Sequence, residues 1–352
     1  MNISFIPAVR PVNINNQSTK LSFKSSMPED TFVKTTENKE VNQKDKSIED
    51  LLNQIDFIEK DLHEIIKDPK NQIGHGNHSV VYKIPDNDNF VIKVPIYFPV
   101  EKIEKFKLAG NIENDKYKIN IGQPLASINC RDCNDMFRGN ISILKKQNGF
   151  SLGVPPYKAL SDELGNMREG ELPYEHPLRL EHYEKSLSKL ANMPVSTYTN
   201  LISEIQDAAQ YNLYLDHYNT NNLMLDEENQ TIGLIDMDEI QNNDINWGNV
   251  LYSLTNIVYY NTYKNANPRG NEKGNMADNN TIRIIDKFFE AMKIKGVKIK
   301  ASERSPEFSS LISSIPFNMY LFQKEGSNNI QTLFLNENQK LEKLKEMGVM
   351  EE

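Results

Sequence analysis

The stretch Leu213-Tyr-Leu-Asp216-His-Tyr-Asn-Thr-Asn221-Asn-Leu-Met-Leu-Asp226, with Thr231-Ile-Gly-Leu-Ile-Asp236-Met-Asp238 close behind it, decides how this 352-residue chain is read. Asn222 to Leu225 and Thr231 to Ile235 are β-prone runs, and Asp226 to Gln230 between them is a turn cluster, so the pair predicts a hairpin. Asp216 and Asn221 stand five residues apart, after a predicted helix and before the first of these strands. Asp236 ends the second strand, a place from which a carboxylate can be aimed into a cleft. Carboxylate and amide oxygens are the hard ligands that Mg²⁺ prefers. Phosphoryl transfer from ATP uses such an ion to neutralise the phosphate oxygens. A carboxylate left free of metal can orient an acceptor hydroxyl and take its proton. On that chemistry Asn221 and Asp236 are the candidate metal ligands and Asp216 the candidate base. The competing reading of the same residues is a polar β-hairpin with no chemistry.

Upstream, two glycines interrupt a β-rich region in Gly74-His75-Gly76-Asn77-His78-Ser79-Val80-Val81-Tyr82. Glycine lets backbone N–H groups approach phosphates and permits positive φ. The residues that follow are β-branched, so the loop predicts a turn between strands rather than the start of a helix. No Gly-Lys-Ser/Thr follows, which excludes a Walker-type loop. The next β run, Phe90-Val91-Ile92-Lys93-Val94, carries a lysine among apolar residues, where burial without a partner is costly. Nucleotide phosphates and a carboxylate would compensate it. Residues 101 to 117 are expected to form a helix with Gly110 as its weak point, and Glu113 on it is the candidate partner of Lys93. Glu101 and Glu104 compete for that role.

The remaining pattern is a strand-rich part followed by a helix-rich part. Leu51, Leu52, Ile55, Ile58, Leu62, Ile65 and Ile66 recur at helical spacing after Ser47, a plausible cap. Gln72-Ile73, Ser79 to Ile84 and Ile141 to Gln147 read as strands, and Pro85 to Asn89 as a turn. Glu181 to Leu190 and Val195 to Tyr211 read as helices, the latter with the stripe Tyr198, Leu201, Ile202, Ile205, Ala208 and Ala209. Residues 264 to 280 are polar and rich in Asn and Gly, and are expected to be a flexible excursion. Met193, Met224 and Met237 are expected in a core or lining a nucleotide pocket. Strands then helices predict an α+β enzyme of two lobes with a cleft between them.

Composition bounds the partners. The net charge of −9 argues against general phosphate-backbone binding, so no nucleic-acid partner is expected. No run approaches the apolar length of a membrane span. Residues 1–45 are polar and read as a disordered leader. That leader lacks the apolar core of a signal peptide, leaving a cytoplasmic location or export by another signal. Cys130 and Cys133 form a lone C-x-x-C with no second pair at zinc-site spacing, and read as ordinary thiols in a connecting segment. Residues 336–352 read as a charged, solvated terminal helix.

Taken in order, GHGNHSVVY, VIK, a helix glutamate, ILKKQ, DHYNTNNLMLD and IDMD resemble the protein-kinase-like superfamily over roughly residues 70 to 260. The IDMD ending is similar to aminoglycoside phosphotransferases and bacterial effector kinases. The resemblance implies a small β-rich N-lobe (about 70–148) and a helical C-lobe (about 149–335) within a domain of residues 46–335. It implies ATP at Gly74, Gly76, Ser79, Val81 and Lys93, Mg²⁺ at Asn221 and Asp236, Lys93 and Glu113 paired, and Asp216 as the catalytic base. Reading His217 as the histidine of the family's H-x-D motif would put Asn219 at the aspartate and Met224 at the metal asparagine, so the Asp216 register is taken. The chain departs from the family's pattern. Ser79 stands for the third glycine, Tyr214-Leu215 for His-Arg, and Asp238 for a glycine. Eight residues separate Asp238 from Trp247, so no long activation loop is expected, and Asn246 to Tyr260 would be the buried C-lobe helix. Three functions follow as expectations: a serine/threonine protein kinase of effector type acting on a protein substrate, a small-molecule kinase of the aminoglycoside or choline type, or a pseudokinase that binds nucleotide without turnover.

Overall fold

In the computed structural model the described residues are 62, 64–76, 79–95, 106–109, 124–130, 141–153, 155–156, 158–159, 162, 176–210, 213–215, 220–235, 237–239, 245–255, 272–303, 305–326 and 330–351. The chain divides into two units, Met1–Asn53 and Gln54–Glu352, and every described residue belongs to the second. The leader, Ser47, Glu113, Asp216 and Asp236 therefore lie outside the described residues.

The described chain is mixed α+β. Six antiparallel strands come first: β1 (Gln72–His75), β2 (Ser79–Ile84), β3 (Asn87–Pro95), β4 (Phe106–Ala109), β5 (Pro124–Cys130) and β6 (Ile141–Lys145). They form one sheet in the order β1-β2-β3-β6-β5-β4. The β2–β3 turn is tighter than its sequence suggests. Ile84 pairs with Asn87, so only Pro85 and Asp86 turn the chain, and Asp86 takes φ 59°. Proline presets one φ and aspartate tolerates the left-handed region, which makes this pair sufficient. Tyr82, Ile92 and Ile143 lie in one cross-strand row and are buried, giving the sheet an apolar face.

Sequence expectation fails at β4. The helix expected over 101–117 is a strand at Phe106–Ala109, paired with Ser127 to Cys130 of β5. Pairing to a neighbouring strand overrides a weak helical pattern, because β-propensity is mostly a measure of cross-strand context. Cys130 consequently ends a strand instead of lying in a connector.

The helical part is built on α1 (Pro177–Asn192), α2 (Val195–Gln210), α3 (Trp247–Thr255), α4 (Glu272–Lys295), α5 (Pro306–Ile312), α6 (Ile315–Lys324) and α7 (Glu337–Glu346). Their starts are legible locally. His176, Ser305 and Ser314 accept first-turn N–H groups, each with proline just inside the helix, and Asn336 and Gln339 close a capping box. The α2 stripe Tyr198, Leu201, Ile202, Ile205 and Ala208 is buried in one cluster with Ile285, Phe288, Phe289 and Met292 of α4. Each such large side chain contributes about 1.5–3 kcal/mol on burial. The buried residues of the six-stranded sheet stand outside that cluster. Met193 is inside it.

Two further expectations are corrected here. Residues 272–280 belong to α4 rather than to a flexible excursion, because Ala277 and Thr281 are buried and extend its apolar face. The terminal segment is not a solvated tail. Lys340, Leu341 and Leu344 of α7 are buried, and so are Val349 and Met350 beyond it. Ile299 N–H donates to the Val349 carbonyl at 2.9 Å and Glu351 N–H to the Ile299 carbonyl at 2.9 Å. Charge counting misled because the leucines of α7 gather on one face, and a count averages over the whole helix. Among the described residues no helix is long and apolar enough to cross a membrane.

Candidate functional site

The decisive hairpin forms as β9 (Leu223–Asp226) and β10 (Thr231–Leu234), closed by a turn in which Gln230 takes φ 54°. Asp226 stabilises that turn by accepting the Asn229 N–H at 3.0 Å and the Asn229 amide at 2.8 Å, and these bonds hold its carboxyl below the usual range. β7 (Phe150–Ser151) adds to β9 as a third strand.

A pairing that sequence reasoning missed surrounds the candidate catalytic segment. β8 (Leu213–Leu215) pairs antiparallel with β11 (Met237–Glu239), with Leu215 opposite Met237. Ile235 N–H donates to the Asn222 carbonyl at 2.8 Å. Leu215 and Asn222, which flank residues 216–221 in sequence, are thus each paired with a sequence neighbour of residue 236. Asn221 is the central residue of a 3₁₀ turn, Thr220–Asn222. Thr220 Oγ1 donates to the Ser253 carbonyl of α3 at 3.0 Å. α3 is a firm anchor: Trp247 to Leu251 and Ser253 to Thr255 are buried, and Asn246 caps it through its side chain. A helix buried on all sides is a core element. Gly248 lets α3 approach α5, since a Cβ there would lie 2.8 Å from the Phe308 ring.

Four of the nucleotide-site residues expected from sequence lie in the sheet. Gly74 pairs with Val81, Val81 with Lys93, and Lys93 with Ser142, so the first three share one row across β1, β2 and β3. Ser79, two residues before Val81, belongs to the same face and pairs with Pro95. Val81 and Lys93 are half-buried, unlike Tyr82 and Ile92 on the other face. Gly76 N–H donates to the Ser79 carbonyl at 2.8 Å, narrowing the hairpin mouth. Neither Gly74 nor Gly76 takes a positive φ. Among the described residues a Cβ at either would make only ordinary contacts, at 3.5 Å to Val81 and 3.7 Å to Ser79 respectively. The positive φ that glycine permits is thus used at neither position.

Residues near the hairpin that carried no expectation prove to be closely built. Gly149 takes φ 121°, and a Cβ there would lie 2.3 Å from the Leu225 carbonyl oxygen. A Cβ at Gly153 would lie 2.0 Å from Asn221 Oδ1. The visible signal was two glycines flanking Phe-Ser-Leu just after a strand. His182 of α1 donates from Nε2 to the Ser151 carbonyl at 2.7 Å, and its ring stacks on Phe150 with centroids 4.5 Å apart. Burial lowers His182 to about 4, partly opposed by that bond. Lys189 lies over the Phe150 ring and pairs with Glu227. Glu204 of α2 is pushed up to about 8, first by burial, then by Asp207, with Lys145 opposing. Its Oε2 is buried without a hydrogen-bond partner among the described residues.

Among the described residues no group of three or more His, Cys, Asp or Glu side chains stands together as a metal site. Compared with protein-family models the chain matches none, and no curated protein matches it.

Proposed function

We propose that the protein is an ATP- and Mg²⁺-dependent phosphotransferase of protein-kinase-like, two-lobed architecture, transferring the γ-phosphoryl group to a serine or threonine hydroxyl of a protein. The observation that carries this reading is the double closure of the 216–221 segment, by Leu215 opposite Met237 and by the Ile235 N–H on the Asn222 carbonyl. That closure brings the chain on either side of Asp236 against both ends of the segment bearing Asp216 and Asn221. A metal ligand, an amide ligand and a base on three separated positions need such a constraint to act on one phosphate.

Two further features support the reading. Gly74, Val81 and Lys93 share a row on the less buried face of the sheet, where a lysine can meet phosphate while valine contacts a base. Glycine stands at 74 and 76 although the described residues would accept a Cβ at either. The amide oxygen of Asn221 has the donor chemistry Mg²⁺ accepts, and Asn221 with Asp236 would hold the ion. When bound, Mg²⁺ would neutralise the phosphate oxygens. Lys93 would orient the phosphates, and Asp216 would accept the proton of the acceptor hydroxyl.

The test is transfer of labelled γ-phosphate from ATP with Mg²⁺ by the wild type, Asp236→Ala and Lys93→Ala. The acceptors are the protein itself, a cell lysate and a panel of aminoglycosides. Label on protein that disappears in Asp236→Ala and falls strongly in Lys93→Ala is the expected result. Label confined to a small molecule would replace the protein acceptor by a small-molecule one. ATP binding without transfer would make the chain a pseudokinase, and full activity in Asp236→Ala would remove the metal assignment.

A further inference from the structure

We infer that Gly153 is a positioning residue for Asn221: the side chain absent at 153 leaves the slot in which the Asn221 amide lies, and this slot sets where that amide meets a divalent cation. The inference rests on the reading of Asn221 as a ligand of the Mg²⁺-nucleotide complex. A Cβ built on Gly153 lies 2.0 Å from Asn221 Oδ1, 2.4 Å from its backbone nitrogen and 2.6 Å from its Cα. All three are closer than the 3.0 Å below which something must shift.

Neither side of this contact can yield cheaply. Residue 153 follows a continuous ladder, with Phe150 opposite Leu225, Ser151 opposite Met224, and the Leu152 N–H on the Leu223 carbonyl at 2.9 Å. At the far end of that ladder Gly149 is equally confined, by φ 121° and by the Leu225 carbonyl. From behind, His182 bonds the Ser151 carbonyl and stacks on Phe150. On the other side, Asn221 sits in a 3₁₀ turn tied to α3 by Thr220 and to the end of β10 by the Ile235 N–H. A methyl group at 153 must therefore move the Asn221 amide, its backbone, or both. Restoring ordinary contact at 3.4 Å from 2.0 Å takes more than 1 Å of displacement. A misplacement of about 1 Å in a reacting assembly costs up to ~10²-fold.

The experiment is the Mg²⁺ dependence of ATP turnover in the full chain, for the wild type, Gly153→Ala, Asn221→Ala and the double variant, with circular dichroism as the check of folding. Gly153→Ala is expected to raise the Mg²⁺ concentration for half-maximal turnover at least about tenfold. In the Asn221→Ala background the same substitution should add less than about twofold, because its route of action is gone. A purely packing role would lower stability and leave the Mg²⁺ dependence unchanged. An unchanged Mg²⁺ dependence in Gly153→Ala, or full multiplication of the two losses in the double variant, overturns the inference. If Gly153→Ala does not fold, paramagnetic broadening decides. The Gly153 amide resonance of the wild type should be broadened by Mn²⁺ with a non-hydrolysable ATP analogue, and spared in Asn221→Ala. A sharp Gly153 resonance in the loaded wild type overturns the inference alone. A wild type that neither binds nor turns over Mg²⁺-ATP overturns the phosphotransferase reading and this inference with it.

Discussion

Glu204→Gln should stabilise the protein at neutral pH and do nothing at pH 4. Glu204 sits on α2 with one carboxyl oxygen buried and unpartnered among the described residues, and its pKa is raised from 4.5 to about 8. At pH 7 the folded protein therefore holds a proton there that the unfolded chain has released. A raised folded-state value means that the stability from this group is complete below pH 4.5 and is lost as pH rises through 8. Between 4.5 and 7 the loss accumulates at about 1.4 kcal/mol per pH unit, or about 3 kcal/mol at pH 7. Glutamine keeps the size and the neutral form that burial and the neighbouring Asp207 select. A glutamine side chain cannot be charged in either state, so the variant should exceed the wild type by about 2–3 kcal/mol at pH 7 and by almost nothing at pH 4. Urea denaturation at the two pH values reads both differences. A variant no more stable than the wild type at pH 7, or one with the same gain at pH 4, would refute the argument that burial keeps Glu204 protonated.

His182 imposes the opposite slope. Its pKa falls from 6.5 to about 4, so its stability is present above 6.5 and is lost as pH falls toward 4, about 3 kcal/mol in all. Between 4.5 and 6.5 the two groups cancel, and the wild type should be nearly flat there; His182→Gln should instead gain stability as pH falls through that window, and a parallel curve would exclude His182 as the cause. Truncation after Gly348 removes the buried Val349 and Met350 and both bonds to Ile299, and should cost about 3–6 kcal/mol, read as a lowered Tm. An unchanged Tm would return the terminal segment to the solvated tail its charge suggested.

The hairpin, the glycine loop, the lysine strand and the two long helices α1 and α2 were legible because each rests on local signals. Turn residues, β-branched runs and a 3.6-residue stripe do not need the rest of the chain. What escaped was pairing between distant segments. Phe106–Ala109 carries no strand alternation strong enough to reveal β4, and it becomes a strand only through Ser127 to Cys130. β7, β8 and β11 are two or three residues long, too short for any period to show. Yet the β8–β11 pair is what sets Leu215 opposite Met237, each next in sequence to a candidate site residue. The polar start of α4 and the charged α7 were misjudged for a related reason: burial there is decided by one face, and composition averages over both.

The glycines separate structural demand from functional demand. Gly149 and Gly248 are explained by the fold, since a Cβ at each would lie under 3.0 Å from a neighbour, and Gly153 by its close approach to Asn221. Gly74 and Gly76 are not: neither takes a positive φ, and among the described residues a Cβ would find normal contact distances. A glycine that the fold does not require still costs conformational entropy in or beside a strand. On the phosphotransferase reading, a phosphate group approaching the backbone at this hairpin mouth, beside Val81 and Lys93, would offset that cost. By the same logic Gly74→Ala and Gly76→Ala should leave stability unchanged or raise it while weakening nucleotide binding, read by urea denaturation and by titration with a labelled ATP analogue. That separation between folding and binding distinguishes a ligand cradle from an ordinary glycine-containing hairpin.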